Sequence, residues 1–182
     1  MRSLDTVVEL IGLVTQDMKW GAAPPTKRSL KRIHELLGVR IPQVYAKVAS
    51  ACPNYGAYLN GIGEDYDHDV HMLRLTQWFR GASEPPLPTH YVLLSHGHDG
   101  DCDCWDTREV AASGEHPIVH VSLESGYGDE PPRVQITNIR YASFAHYLRC
   151  ITVYYAEASR SSASQARVEK LIEILKRENE CN

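Results

Sequence analysis

The stretch VLLSHGHDGDCDCWD, residues 92–106, places two histidines, four aspartates and two cysteines within fifteen positions. An apolar run, then Asp99-Gly100, then a second short run predicts two strands joined by a tight turn. On this interpretation Cys102 and Cys104 point into the core as small apolar side chains. Asp101 and Asp103 then face outward, because successive side chains of a strand alternate between its two faces.

The same residue types occur in metal sites, so the stretch has a second interpretation. A dinuclear metallo-hydrolase would need Asp and His where this chain has Gly100 and Asp101. An EF-hand calcium loop would need Gly and Glu where this chain has Cys104 and Val110. A metal-binding protein or metallo-hydrolase therefore remains an alternative only through four residues, which are His96, His98, Cys102 and Cys104.

Other catalytic signatures are missing from the sequence. It contains no Gly-x-Ser-x-Gly elbow, no phosphate-binding Gly-rich loop and no His-Glu-x-x-His motif. Ser95 and His96 are neighbours on a predicted strand and so point to opposite faces. The sequence therefore shows no catalytic set, and we expect no catalytic residue, no bound metal and no cofactor.

Outside this hairpin, helices are predicted on both sides of a group of strands. Apolar spacing predicts helices near residues 4–18, 26–37, 43–52, 70–80, 143–151 and 164–180, although the pattern of 70–80 fits a strand as well as a helix and we favour the helix. Asp69 is the predicted cap of the fourth of these helices and Ser143 that of the fifth. Short strands are predicted over 91–95, 102–106, 117–123 and 134–139. This order predicts a single α+β domain with a mainly antiparallel central sheet, flanked by N-terminal and C-terminal helices.

The charges are distributed unevenly along the chain. Residues 51–130 contain fourteen Asp and Glu against three Arg and no Lys, whereas the whole chain has a net charge of −4. Such a centre disfavours nucleic acid as a ligand and suits a basic protein, and a solvated acidic surface without a partner would have the same composition. The predicted partner-binding residues lie in two acidic runs: Asp65, Asp67 and Asp69 in the first, and Asp99, Asp101 and Asp103 in the second.

The N-terminal residues and the cysteines predict a cytoplasmic location. Three acidic residues interrupt the first apolar stretch, so it lacks the pattern of a signal peptide, and no stretch is apolar enough for a membrane span. The five cysteines are an odd number and show no paired spacing. We expect free thiols in a reducing compartment and no membrane association.

Three stretches resemble the SUKH superfamily, which groups bacterial immunity proteins with fungal regulators of cell-wall synthesis. In TKRSLKRIHELLGVRIPQVYAKV (26–48) the residues that match are Leu37, Gly38, Ile41, Pro42 and Tyr45. Asn54-Tyr55-Gly56 is similar to the end of the family's next helix. In HYVLLSHGHDGDCDCWDT (90–107) the match is Gly100-Asp101 followed by Asp106.

The resemblance implies a non-enzymatic, SUKH-like α+β domain over residues 1–158, whereas the appended C-terminal helix in 159–182 lies beyond the family's usual end. That helix would pack on the same domain or on a second subunit. The resemblance also implies a cytoplasmic immunity protein that neutralises a cognate toxin, often a nuclease, and the acidic centre suggests a basic one. A regulatory or scaffold module with another protein partner is the alternative, and a monomer or a weak homodimer is expected.

Overall fold

The helices on the N-terminal side of the sheet follow the predicted apolar pattern. The computed structural model describes residues 2–15, 27–39, 41–52, 68–96, 101–111, 114–124, 133–158 and 165–180. The first four helices are α1 (Arg2–Thr15), α2 (Lys27–Leu37), α3 (Gln43–Ala51) and α4 (His68–Ala82). The apolar stripes of α1, α2 and α3 are buried in one core, which contains Val7, Ile11, Ile33, Leu37 and Val48.

Local signals set two of the helix boundaries. Gly38 has a φ of +73°, and its backbone N–H donates to the His34 carbonyl at 3.0 Å. This is the left-handed conformation that glycine adopts after a helix C-terminus. Pro42 precedes α3 at its N-cap position. Asp69, the predicted cap of α4, lies instead inside the first turn, because α4 begins at His68, the residue before Asp69.

The second half of the chain forms the sheet and the last two helices. The strands are β1 (Tyr91–His96), β2 (Cys102–Asp106), β3 (Ile118–Glu124) and β4 (Arg133–Tyr141). Within the described residues they form an antiparallel meander in the order β1-β2-β3-β4. Helices α5 (Phe144–Ala158) and α6 (Gln165–Glu180) follow. The predicted α+β fold, a single domain with an antiparallel sheet between helices, is confirmed.

The sheet is covered on both faces. On one face, here called the α4 face, Phe79 of α4 and Leu87 pack against strand residues that include Cys102, Cys104 and Val121. On the other, here called the α5 face, Trp105 lies between Tyr45 and Phe144, with ring centroids 6.1 and 6.3 Å away. All five residues of β2 are consequently buried. A strand enclosed on both faces has no solvent side.

Helix α6 is part of the main core. Leu171, Ile172 and Leu175 are buried in the same cluster as the apolar residues of α1, and the two helices pack against each other. The division of the chain at residue 158 stays a prediction. No helix in the described residues combines the length and the apolar character that crossing a bilayer requires.

Candidate functional site

The meander brings the β1–β2 and β3–β4 connections to the same end of the sheet. His96 pairs with Cys102 at the end of β1, and Glu124 pairs with Arg133 at the end of β3. Because β2 and β3 also pair, with Cys102 opposite Val121, both connections leave the sheet on that side. We call this side, bounded by His96, Asp101 and Glu124, the acidic end.

Helix α4 points its N-terminus toward the acidic end. The hydroxyl of Thr76 accepts a hydrogen bond from the Leu93 backbone N–H at 3.1 Å, and Arg80 donates to the Tyr91 carbonyl at 3.1 Å. The direction of α4 from Arg80 toward its N-terminus at Thr76 is therefore the same as the direction of β1 from Tyr91 to Leu93. The eight residues from Thr76 back to His68 rise by about 12 Å, so α4 begins on the side where β1 ends.

Three acidic segments of the sequence adjoin the start of α4 and the strand ends at the acidic end. Residues 64–69, 97–101 and 124–132 contain nine Asp and Glu and neither Lys nor Arg. Of the predicted partner-binding residues, Asp65, Asp67 and Asp99 lie outside the described residues, and of Asp69 only the backbone position is described. The chain thus carries nine of its central fourteen carboxylates in segments that begin or end at one side of the sheet.

Asp103, predicted to face outward, is instead buried beneath α5. Its Oδ2 accepts hydrogen bonds from the hydroxyls of Tyr147 and Ser95, both at 2.9 Å, and its Oδ1 lies 3.0 Å from His120 Nδ1. The prediction of strand alternation was right, since Asp103 points away from the two cysteines. The outward assignment was wrong because helix α5 covers that face.

Two of the predicted partner-binding residues, Asp101 and Asp103, have described side chains. Of these two, Asp101 reaches solvent at the acidic end. Its side chain is 47% exposed, its Oδ1 accepts a hydrogen bond from Ser122 at 2.8 Å, and its Oδ2 lies 3.6 Å from His120 Nε2. The residues Ser95, Asp101, Asp103, His120, Ser122 and Tyr147 form one connected polar cluster. We call it the Asp103 cluster.

Four members of this cluster, Ser95, His120, Ser122 and Tyr147, were absent from the predicted set. His120 and Ser122 alternate with Val119, Val121 and Leu123 along β3. Such alternation indicates a polar face and is the one signal that the sequence offered. Nothing in the sequence indicates that these residues meet Tyr147, because that contact depends on how α5 lies across the sheet.

The chemistry of the cluster is that of a satisfied buried carboxylate. Ser95 contacts Asp103 and Tyr147 but has no described contact with His120, so it lacks the hydroxyl–imidazole contact of a serine nucleophile. Tyr141 lies near the cluster, and burial together with the Asp103 charge raises the pKa of its phenol. Each of these contacts holds β1, β2, β3 or α5 in place.

The cysteines of the opening stretch lie on the opposite face of the sheet. Cys102 and Cys104 are buried on the α4 face, and burial raises the pKa of both thiols far above the usual value. A metal ligand must be a thiolate, so this environment opposes metal binding. Within the described ranges, no three His, Cys, Asp or Glu side chains are grouped to hold a metal ion. The side chain of His96 and all of His98 lie outside them.

Leu37, Gly38, Pro42, Tyr45 and Asp106, which match the family pattern, occupy structural positions, whereas Asn54, Tyr55 and Gly56 lie outside the described residues. Leu37 and Tyr45 are buried in the main core, and Gly38 and Pro42 lie at helix ends. Asp106 is buried at the sheet end opposite the acidic end.

The Arg108 guanidinium donates to both Asp106 oxygens, at 3.0 and 2.7 Å. This hydrogen bonding lowers the pKa of Asp106. Gly100 lies outside the described residues.

Known proteins add no assignment to this geometry. A scan against models of protein families finds no match to the chain, and a search of curated proteins finds no significant relative.

Proposed function

We propose that the protein is a non-enzymatic binding domain whose acidic end captures a basic protein. The partner is a toxin, and the chain acts as a cytoplasmic immunity protein of the SUKH type. The observation that carries the proposal is that the described residues next to the three acidic segments, at the start of α4 and at the ends of β1, β2, β3 and β4, lie on one side of the sheet. The meander and the direction of α4 connect all three to one side of the sheet.

Negative charge at the acidic end would speed association with a basic partner. Charges of one sign concentrated on one side attract a basic partner from a distance and orient it before contact, which speeds association. Elsewhere in the central segment, three described carboxylates have partners within the fold, and the Glu115 side chain accepts from the Phe144 backbone N–H at 3.0 Å. Asp106 binds Arg108, and exposed Glu109 pairs with Arg140. At the acidic end, Asp101 contacts His120 and Ser122 and has no Lys or Arg partner among the described residues.

The buried polar groups support a binding role over catalysis. The Asp103 carboxylate is occupied by three donors from three elements. The thiols of Cys102 and Cys104 are held in their protonated form by burial. A general base or a nucleophile must be accessible and activated. The Asp103 carboxylate and the two thiols are buried, and none of them is activated.

The test is co-purification of the tagged chain from its native host, with washes at low and high salt. We expect a basic protein that is retained at low salt and released as salt rises, because exposed charges are screened over about 8–10 Å. Co-expression should then abolish the partner's toxicity. A neutral partner, or a basic one whose toxicity is unaffected, would contradict the immunity proposal and favour a regulatory or scaffold module.

A further inference from the structure

Helix α2 presents a group of basic side chains to solvent. Four exposed cations occupy its first two turns: Lys27, Arg28, Lys31 and Arg32. Lys31 lies 3.5 Å from Glu35, one turn further along the same helix, and both of these side chains are exposed. Lys27, Arg28 and Arg32 have no carboxylate within ion-pair distance among the described residues. Most of the charge on this side of α2 is therefore not neutralised within the fold.

These cations do not serve the stability of the fold. Exposed cations on other elements connect one element to another: Arg140 to Glu109, Arg167 to Glu9 and Lys176 to Glu157. The cations of α2 make no such connection among the described residues. The first turn of α2 contains no acidic residue, and cations there oppose the helix dipole, which is positive at its N-terminal end. The fold gains nothing from this placement.

The exposed side of α2 has an ordered pattern. Residues four positions apart lie one above the other on a helix, so the side chains form two adjacent rows. The first row is Lys27, Lys31 and Glu35, and the second is Arg28, Arg32 and Leu36. The Leu36 side chain is 55% exposed. We call this surface the basic face; it is cationic over two turns and has an apolar side chain in its last turn.

We propose that the basic face docks an acidic segment of another protein, with carboxylates against the cations and an apolar side chain against Leu36. A nucleic acid has uniform negative charge and would meet the Glu35 carboxylate in the last turn. A helix that binds a bilayer inserts its apolar side into the lipid. The apolar side of α2, with Ile33 and Leu37, is instead buried in the main core. The proposal is independent of the acidic end and adds a second partner of opposite charge.

The experiment uses the full-length chain and a decaglutamate peptide at low salt, with backbone amide NMR shifts as the readout. We expect shift changes along α2 that diminish as salt rises, because exposed charges are screened. The triple variant Lys27→Gln, Arg28→Gln, Arg32→Gln should bind the peptide about tenfold less tightly. Shift changes that spare α2 would overturn the proposal.

A matched variant on α6 separates a local effect from net charge. Arg167→Gln, Lys170→Gln and Lys176→Gln together remove the same three charges from exposed positions of another helix. We expect this variant to lose less than about twofold in affinity. An equal loss in the two triple variants would mean that net charge is responsible and would overturn the proposal.

The melting temperature shows whether a loss of binding reflects unfolding. The three replaced α2 cations are exposed and unpaired among the described residues, so their variant should melt at the same temperature as the wild type or above it. A clearly lower melting temperature would show that these cations support the fold, which contradicts the proposal.

Further probes test the class of partner. Leu36→Ser should weaken the binding of a glutamate peptide that ends in leucines and leave the binding of decaglutamate unchanged. Equal effects on the two peptides would overturn the apolar contact and with it the assignment to a protein segment. Phosphatidylserine vesicles or oligothymidine that bind more tightly than either peptide, through the same three cations, would also overturn it. The acidic end is unchanged in every variant, so these results do not decide the proposed function.

Discussion

Asp103 is a carboxylate in the interior of the sheet, and its position is stable only because donors surround it. An unpaired buried charge costs several kcal/mol, so each donor that is lost exposes part of that cost. Tyr147 is the donor from α5, at 2.9 Å. The Asp103–Tyr147 hydrogen bond thus ties the helix to the centre of the sheet.

Replacing Tyr147 with Phe removes that hydroxyl and little else. We expect a loss of about 1–3 kcal/mol in the free energy of unfolding, the cost of leaving a buried acceptor short of one donor. Urea denaturation measures the loss. Tyr154→Phe on the same helix is the control, because Tyr154 is 65% exposed and water can replace its contacts. Equal effects of the two changes would show that the Asp103 contact is unimportant.

Asp106 predicts a pH dependence of stability at the opposite end of the sheet. Hydrogen bonding to Arg108 lowers its pKa in the folded state. A carboxyl with a lowered folded pKa stabilises the fold fully above its unfolded pKa of about 4, and the contribution is lost as pH falls through the folded pKa. Asp106→Asn should therefore lose stability at pH 7, and the difference from the wild type should shrink below about pH 4.

Chemical denaturation at several pH values tests this expectation. Glu109→Gln is the control, because Glu109 and Arg140 form an exposed pair, and such pairs contribute little. A difference between wild type and Asp106→Asn that persists unchanged at the lowest pH would contradict the assignment to ionised Asp106.

At the scale of elements, β2 explains why the polar cluster and the thiols are separated. Its alternating residues send Cys102 and Cys104 to the α4 face and Asp103 to the α5 face. Both faces are covered by helices. The strand therefore places Asp103 in the interior. In a sheet with one face exposed to solvent, the same alternation would have placed this residue in contact with water.

Helix α6 is an element whose docking can be tested by one side chain. Leu175 is fully buried, whereas its neighbour Ile174 is 37% exposed. Leu175→Ala should cost about 2–5 kcal/mol of stability, and Ile174→Ala should cost less than about 1 kcal/mol. Deletion from Ser161 onward should then lower stability or solubility strongly. A melting temperature that is unchanged by Leu175→Ala would show that α6 is dispensable.

At the scale of the molecule, the acidic end should act by electrostatic steering. Changing Asp65, Asp67 and Asp69 together to Asn removes three charges from one of its segments. We expect the fold to be unaffected and the association rate with the partner to fall about tenfold or more at low salt. The difference should narrow as salt rises. Stopped-flow or surface binding kinetics at several salt concentrations measure it.

The matched control removes the same number of charges elsewhere. Asp5, Glu35 and Glu169 are exposed and lie outside residues 51–130. Their joint change to Asn and Gln gives the same net charge as the triple aspartate variant. If both variants slow association equally, net charge and not the acidic end is responsible, and the proposed site is wrong.

The sequence by itself determined the elements, because they depend on local rules. The helical spacing of Val7, Ile11 and Val14, the glycine after Leu37 and the cap Ser143 are readable along the chain. The Ser143 hydroxyl accepts from the His146 backbone N–H at 3.2 Å, as its place before α5 predicts. The concentration of carboxylates in residues 51–130 is also a property of the sequence.

Only the tertiary structure decided which of these carboxylates face water. Strand alternation placed Asp103 opposite the cysteines, but whether that face is open depends on α5, which is more than forty residues away in the chain. The side of the sheet on which α4 begins and the β1–β2 and β3–β4 connections leave the strands likewise follows from strand order and from the direction of α4 across β1. Those are non-local contacts, and no local pattern of residues encodes which distant elements will meet.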